Sequence, residues 1–141
     1  MFEHYILTRF NYGLYSDNPY NVLNPDKWME HRLKLFEKCR ESVLSQDVDF
    51  TWLIAMDSNT PLKYMDQIFI DGRMNPVFCD IRKVFEVAKP NTAWVITTRM
   101  DNDDTYNPGA LEAIQDAALE HLHNSPRRDG FVIDIDYPRG S

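Results

Sequence analysis

The sequence has little of what marks secreted, membrane or nucleic-acid-binding proteins. Its two cysteines, Cys39 and Cys79, form no Cys-x-x-Cys pair, which favours buried, reduced thiols in a cytoplasmic protein over a disulfide framework. No stretch approaches the roughly 20 apolar residues of a transmembrane helix, and the N-terminus MFEHYILTRF lacks the basic start and long apolar core of a signal peptide. Basic residues are outnumbered by acidic ones, 15 to 22, which gives a net charge of −7. This charge argues against nucleic acid as a partner.

What the sequence does contain is the composition of a globular domain. Its 141 residues are 43% hydrophobic and 26% charged, enough to build a core. Strand-like and helix-like segments alternate, which predicts a single α/β domain over residues 1–141 with a mostly parallel sheet flanked by helices. Asn24 and Pro25 are expected to cap and begin the first helix. The predicted strands are His4–Arg9, Phe50–Met56, Asn75–Cys79, Ala93–Thr98 and Phe131–Ile135, and the predicted helices are Lys27–Gln46, Pro61–Ile70 and Gly109–His123.

Polar residues follow three of the predicted strands at the point where each strand ends. These clusters are Thr8–Asn11, Asp57–Thr60 and Arg99–Asp104. In parallel sheets, ligands bind beyond the carboxyl ends of the strands. The three clusters are therefore predicted to share one edge of the sheet and to form the functional site there.

The last of these clusters, in WVITTRMDNDDT, places Asp101, Asp103 and Asp104 within four positions. Carboxylates this close repel one another unless a cation sits among them, and hard divalent ions prefer such oxygen ligands. A solvated turn before the acidic start of a helix is the simpler interpretation of the same residues. The strand directly before the cluster and the later start of the next helix favour a metal site.

Other interpretations of the acidic cluster compete. An EF-hand pattern matches Asp101, Asp103, Thr105 and Glu112, but Tyr106 stands where the loop needs glycine and a strand precedes the loop. The letters Asp-x-Asp-x-Thr also match haloacid-dehalogenase-like phosphatases, with Asp101 as nucleophile and Asp103 as acid/base. That motif normally lies on the first strand, so the phosphatase is kept as an alternative. A non-catalytic metal-binding module is another alternative.

Four segments taken in order carry a more specific signal: ILTRFN, HRLKLFEKCRESVLSQ, FTWLIAMDSNTP and ITTRMDNDD. Together they resemble the putative rhamnosyltransferase family. The resemblance implies a GT-A-type, Rossmann-like fold. It also implies a transferase that moves a sugar, rhamnose by implication, from a nucleotide-sugar donor such as dTDP-rhamnose to a glycan acceptor.

The resemblance also implies roles for individual residues. Asp101 and Asp103 match the family's Asp-x-Asp motif and would hold Mn²⁺ or Mg²⁺ against the donor diphosphate. Asp104 would be a further ligand or a neighbour that orients the ribose. The nucleotide would lie against Arg9, Asn11, Asp57, Arg99 and Asp101, although salt bridges are an equal alternative for the two arginines.

The chain continues for only about one βα unit after the Asp-x-Asp motif. GT-A transferases usually carry the acceptor site and the catalytic base beyond that point. We therefore expect an incomplete fold, the N-terminal donor-binding part of a longer enzyme. Asp134 and Asp136 form another acidic pair. An acidic turn at the edge of the sheet is favoured for them over the role of catalytic base.

Overall fold

A computed structural model describes residues 2–92, 94–124 and 139–140. The predicted strand Phe131–Ile135, with Asp134 and Asp136, lies outside the described residues. The strands are β1 (Phe2–Arg9), β2 (Thr51–Ala55), β3 (Met74–Val77), β4 (Trp94–Arg99), β5 (Thr105–Tyr106) and β6 (Arg139–Gly140). The helices are α1 (Pro25–Leu44), α2 (Leu62–Ile68), α3 (Val84–Val87), which follows a 3₁₀ turn at Ile81–Lys83, and α4 (Ala110–Asn124).

The main sheet has four strands in the order β3-β2-β1-β4, and all three neighbouring pairs are parallel. The predicted α/β fold with a mostly parallel sheet flanked by helices is therefore confirmed. Within the described residues β4, the strand before the acidic cluster, is an outer strand and not a central one. The burial pattern of β4 fits this outer position, because Thr97 and Arg99 are exposed whereas β2, inside the sheet, is buried along nearly its whole length. The short strands β5 and β6 pair antiparallel.

Helix α1 begins as its sequence predicts. The side chain of Asn24 accepts a hydrogen bond from the backbone N–H of Lys27 at 3.1 Å, and Pro25 occupies the first helical position. One face of the helix is buried, at Met29, Phe36, Cys39 and Val43. The burial of this face fixes which side chains of α1 point away from the core, toward the ends of the strands.

The sheet separates two apolar clusters, because side chains alternate along each strand. Ile6, Phe36 and Trp52 belong to the larger cluster, on the side of α1. Leu7 and Leu53 belong to the smaller one, which packs against the turn at Ile81–Lys83 and α3. The central strands are thus held on both faces, so their carboxyl ends form a firm edge for a site. No helix in the described part of the chain is long and apolar enough to cross a membrane.

Candidate functional site

The residues that follow β4 form a short loop, here called the acidic loop (residues 101–104). One carboxylate oxygen from each of Asp101, Asp103 and Asp104 lies within 4.8 Å of the other two. Asp101 and Asp103 are exposed and Asp104 is half-buried. The structure therefore brings together the three carboxylates that the sequence singled out, at the carboxyl edge of the sheet.

The base of the acidic loop is fixed by buried contacts with the sheet. The hydroxyl of Thr8 donates to the carbonyl of Met100 at 2.7 Å and accepts from the indole N–H of Trp52 at 2.9 Å. The N–H of Met100 donates to the carbonyl of Leu7 at 3.0 Å. One step further, the thiol of Cys39 lies 3.5 Å from the carbonyl of Asp101. The loop thus leaves a rigid platform at a defined point.

Two side chains tie the outer part of the acidic loop to its neighbours. The amide of Asn102 donates to the carbonyl of Phe10 at 3.4 Å, just after β1. The guanidinium of Arg32, on α1, donates to the side-chain oxygen of Asn102 at 3.1 Å and to the carboxylate of Asp103 at 3.3 Å. Arg32 also stacks over Trp28, with the guanidinium carbon 5.2 Å from the ring centroid.

Beside the loop lies a cleft of about 240 Å³. Its walls combine two arginines, two carboxylates and aromatic rings; the rings of Tyr20 and Trp28 are 5.3 Å apart. Cationic and aromatic groups beside carboxylates suit a ligand with a planar ring and an anionic part. The lining residues are Arg9, Phe10, Tyr20, Trp28, Arg32, Asp101, Asn102 and Asp103.

Arg9 and Arg99, both predicted to face a nucleotide, are placed differently. Arg9 is exposed and lines the cleft. Arg99 is exposed on β4, where it pairs with Leu7 and so lies on the sheet face of the smaller apolar cluster. It is not among the residues that line the cleft. The structure thus brings one of these two arginines to the acidic loop.

Asp57, also predicted to contact the nucleotide, organises the loop between β1 and α1. The Asp57 side chain is 2% exposed and accepts hydrogen bonds from the N–H groups of Tyr15 at 2.7 Å, Ser16 at 2.9 Å and Asn59 at 2.8 Å. Burial raises the pKa of the carboxyl, but these hydrogen bonds outweigh it and hold the pKa below its ordinary value.

Asn11, predicted to face the nucleotide as well, is fully buried next to Asp57. Its side-chain oxygen accepts from the N–H of Asp57 at 3.0 Å, and its amide donates to the hydroxyl of Thr60 at 2.9 Å. Neither Asn11 nor Asp57 lines the cleft. Their described contacts shape the edge beside the site.

Sequence reasoning missed the cleft residues Tyr20, Trp28 and Arg32, which lie outside the three predicted clusters. Trp28 is half-buried in the wall of the cleft. One signal was available: Trp28 and Arg32 are four positions apart on a predicted helix, so an aromatic ring and a guanidinium share one face. No local signal connects Arg32 with the acidic loop, 70 residues away along the chain.

The donor set of the acidic loop fits a hard divalent cation. Carboxylate oxygens are the ligands that Mg²⁺, Mn²⁺ and Ca²⁺ prefer, and three of them converge here. Arg32, which lines the cleft, has a buried Nε without a hydrogen-bond partner within the described residues.

Comparison with known proteins identifies a family for the chain. Neither any curated protein nor any solved structure matches the chain. A family model described as "Putative rhamnosyl transferase" matches residues 7–140, nearly the whole chain. The matched span contains the acidic loop and every residue that lines the cleft. The chain therefore belongs to the putative rhamnosyl transferase family.

Proposed function

We propose that the protein is a metal-dependent glycosyltransferase whose acidic loop and cleft bind a nucleotide-sugar donor. The donor is dTDP-rhamnose or a similar compound, and the sugar is passed to a glycan acceptor. Membership in the family supports the transfer of a sugar. The two free thiols, of Cys39 and Cys79, support a cytoplasmic location.

The observation that carries the proposal is the convergence of the three carboxylates of the acidic loop, with two of them and Arg9 lining one cleft. A glycosyl-phosphate bond breaks with negative charge building up on the diphosphate that leaves. A carboxylate cluster alone would repel that charge. The arrangement makes chemical sense if the cluster binds a divalent cation and Arg9 binds phosphate oxygens.

The residues then have separate roles. Asp101 and Asp103 would hold Mn²⁺ or Mg²⁺, with Asp104 as a further ligand. When bound, the metal would supply Lewis-acid stabilisation of the diphosphate. Arg9 would contact the nucleotide directly, whereas Asn11 and Asp57 would act by holding the loop that follows β1. A contact of Arg99 with the nucleotide stays a prediction.

The first test is the thermal stabilisation of the protein by dTDP, UDP and GDP, each with and without Mn²⁺. A ligand that binds only the folded state raises its stability by RT ln(1 + [L]/Kd), about 2.7 kcal/mol when the ligand is at a hundred times its Kd. We expect one nucleotide to raise the melting temperature, and only with Mn²⁺. Asp103→Ala should abolish this shift.

The control is Asp66→Ala, which removes an exposed carboxylate on α2 outside the cleft. It should respond to nucleotide and metal as the wild type does. A shift with fluoroberyllate, and none with any nucleotide, would favour the phosphatase alternative. The proposal would be wrong if no nucleotide bound with metal, or if Asp103→Ala bound as well as the wild type.

A further inference from the structure

Arg32 is the residue that links the acidic loop to α1, and its contacts suggest more than a structural brace. Its guanidinium reaches Asn102 and Asp103 while stacked on Trp28. Both contacts to the loop use the same nitrogen, Nη1. The side chain of Arg32 is 25% exposed, so it stands at the border between the cleft and the protein interior.

The hydrogen bonding of this guanidinium is incomplete. A guanidinium carries five N–H donors, and the Nε donor of Arg32 is buried without a partner among the described residues. A buried donor without a partner costs free energy. A rearrangement in which the Nε of Arg32 donated to an anionic oxygen would therefore be favourable. The aromatic contact with Trp28 would keep the side chain in the cleft during this movement.

The same carboxylate cannot serve Arg32 and a divalent cation equally well. Asp103 is one of the three carboxylates that converge, and it is also the ion-pair partner of Arg32. Before a metal binds, Arg32 offsets part of the negative charge of the acidic loop. A divalent ion on the loop would replace Arg32 in that role and weaken its pairing with Asp103.

The charges of the cleft lead to the next step. Arg9 and Arg32 balance Asp101 and Asp103 in its lining. A divalent cation on the carboxylates would leave the cleft with an excess of positive charge. Such a cleft is suited to a diphosphate, and guanidinium groups bind phosphate oxygens with strong, directed hydrogen bonds.

We propose that Arg32 changes partner during donor binding: it pairs with Asp103 until the metal binds, and then donates to the diphosphate of the nucleotide. This inference rests on the proposed function and deepens it. It makes Arg32 a competitor of the metal in the absence of nucleotide and a partner of the nucleotide in the presence of metal.

The two roles predict effects of opposite sign for one substitution. In Arg32→Gln, Mn²⁺ alone should bind about two- to fivefold more tightly, which is the range expected when an ion pair of a partly exposed residue is removed. At saturating Mn²⁺, the nucleotide that stabilises the wild type should bind at least about tenfold more weakly, because a charge-assisted hydrogen bond is lost. The EPR signal of free Mn²⁺ measures the affinity for the metal, and isothermal titration calorimetry measures the affinity for the nucleotide.

Arg40→Gln is the matched control. Arg40 also lies on α1 and stacks on the aromatic residue four positions before it, Phe36, but it donates to the carbonyls of Gln67 and Ile68, away from the cleft. The Arg40→Gln variant should bind Mn²⁺ and nucleotide with affinities within about twofold of those of the wild type. Arg32→Lys keeps the charge without the planar fork, and both of its affinities should fall between those of the wild type and Arg32→Gln.

The outcomes separate this inference from the proposed function. Suppose that the wild type binds Mn²⁺ and nucleotide. If Arg32→Gln then weakens both affinities, or weakens neither, Arg32 does not change partners. The inference is then overturned while the proposed function stands. If the wild type binds neither Mn²⁺ nor any of the three nucleotides, the proposed function fails and the inference falls with it. Opposite changes in the two affinities, with Arg40→Gln unchanged, would support it.

Discussion

The hydroxyl of Thr8 donates a hydrogen bond of 2.7 Å to the carbonyl of Met100, the residue immediately before the acidic loop. Both residues are almost fully buried. The same hydroxyl accepts from the indole N–H of Trp52, so β1, β2 and the residue that follows β4 meet at one oxygen atom. The loop that would hold the metal thus starts from a buried, hydrogen-bonded point of the sheet edge.

Thr8→Val tests this arrangement. The change keeps the shape of the side chain but leaves the Trp52 N–H and the Met100 carbonyl without their partner, in a site closed to water. We expect the free energy of unfolding to fall by about 3 kcal/mol, because a buried polar group that loses its partner costs about 1–3 kcal/mol. Urea unfolding followed by tryptophan fluorescence measures it.

Thr8→Ser is the control for this prediction, since it keeps the hydroxyl and removes only a methyl group. It should cost about 1 kcal/mol. Equal losses for valine and serine would show that the methyl group, and not the hydrogen bond, matters at this position.

Asp57→Asn should destabilise the loop that follows β1. The carboxylate accepts from the N–H groups of Tyr15, Ser16 and Asn59, and an amide would turn its own donors toward some of them. We expect the free energy of unfolding to fall by about 2 kcal/mol at pH 7. Asp17→Asn, in an exposed position of the same loop, should change it by less than about 0.5 kcal/mol.

The pH dependence of this effect has a definite sign. The pKa of Asp57 is held below its ordinary value of 3.8, so its contribution is complete above that pH and is lost as the pH falls through the lower, folded-state pKa. The difference in stability between wild type and Asp57→Asn should therefore shrink below about pH 4. A difference that did not change between pH 7 and pH 3 would contradict the role of the charge.

The sequence was sufficient to predict the parallel sheet and the grouping of the three carboxylates at its carboxyl edge, because both follow from local patterns. The apolar run at Phe50–Met56 indicates a strand buried on both faces, and it does lie inside the sheet. Asn24 and Pro25 begin α1 as predicted. The carboxylates of the acidic loop come together because they are neighbours in the chain, which is the easiest kind of proximity to foresee.

The rest of the site depends on tertiary contacts for which the sequence has no local sign. Arg32 reaches Asp103 because α1 packs against the residues that follow β1 and β4, where Phe36 contacts Phe10 and Cys39 contacts Asp101. No spacing rule connects positions so far apart in the chain.

Asn11 and Asp57 stand at strand ends like ligand-binding residues, but their side chains hold nearby loops. The Asn11 side chain bonds to the N–H of Asp57 and to the hydroxyl of Thr60, and the Asp57 carboxylate accepts from the N–H of Tyr15. A polar residue at a strand end can bind a ligand or hold a loop, and only the packing decides between them.

Cys39 should be unreactive in the folded protein even though it lies directly beneath the acidic loop. Burial raises the pKa of its thiol to about 12, and the charges of Asp104, Asp103 and Asp101 add to the shift. Cys79 is partly exposed, and its pKa is raised mainly by burial. We expect a disulfide reagent such as DTNB to modify one thiol in the native protein, that of Cys79, and both in urea.

Cys79→Ser provides the check on this assignment. The variant should show no fast reaction when folded and one thiol when unfolded. Rapid modification of the folded Cys79→Ser variant would mean that the region under the acidic loop opens far more readily than its buried contacts suggest.

His4 should make the stability of the protein depend on pH between about 4 and 6.5. It is 3% exposed, with Nε2 2.7 Å from the hydroxyl of Thr98 and Nδ1 2.9 Å from the side-chain nitrogen of Gln115. That nitrogen also donates to the carbonyl of Asp49, which fixes it as a donor. Nδ1 therefore accepts, Nε2 donates to Thr98, and the neutral ring is satisfied on both sides.

Burial lowers the pKa of His4 from 6.5 to about 4, so the unfolded chain binds a proton that the folded chain excludes. Stability is unaffected above pH 6.5 and falls as the pH drops toward 4, by about 3 kcal/mol at most. His4→Gln cannot take up a proton, so its stability should fall less over the same range. Urea unfolding at pH 7.5, 6, 5 and 4 measures the difference. Parallel curves for wild type and variant would show that His4 is protonated in the folded protein at little cost, against its burial and its bond to Gln115.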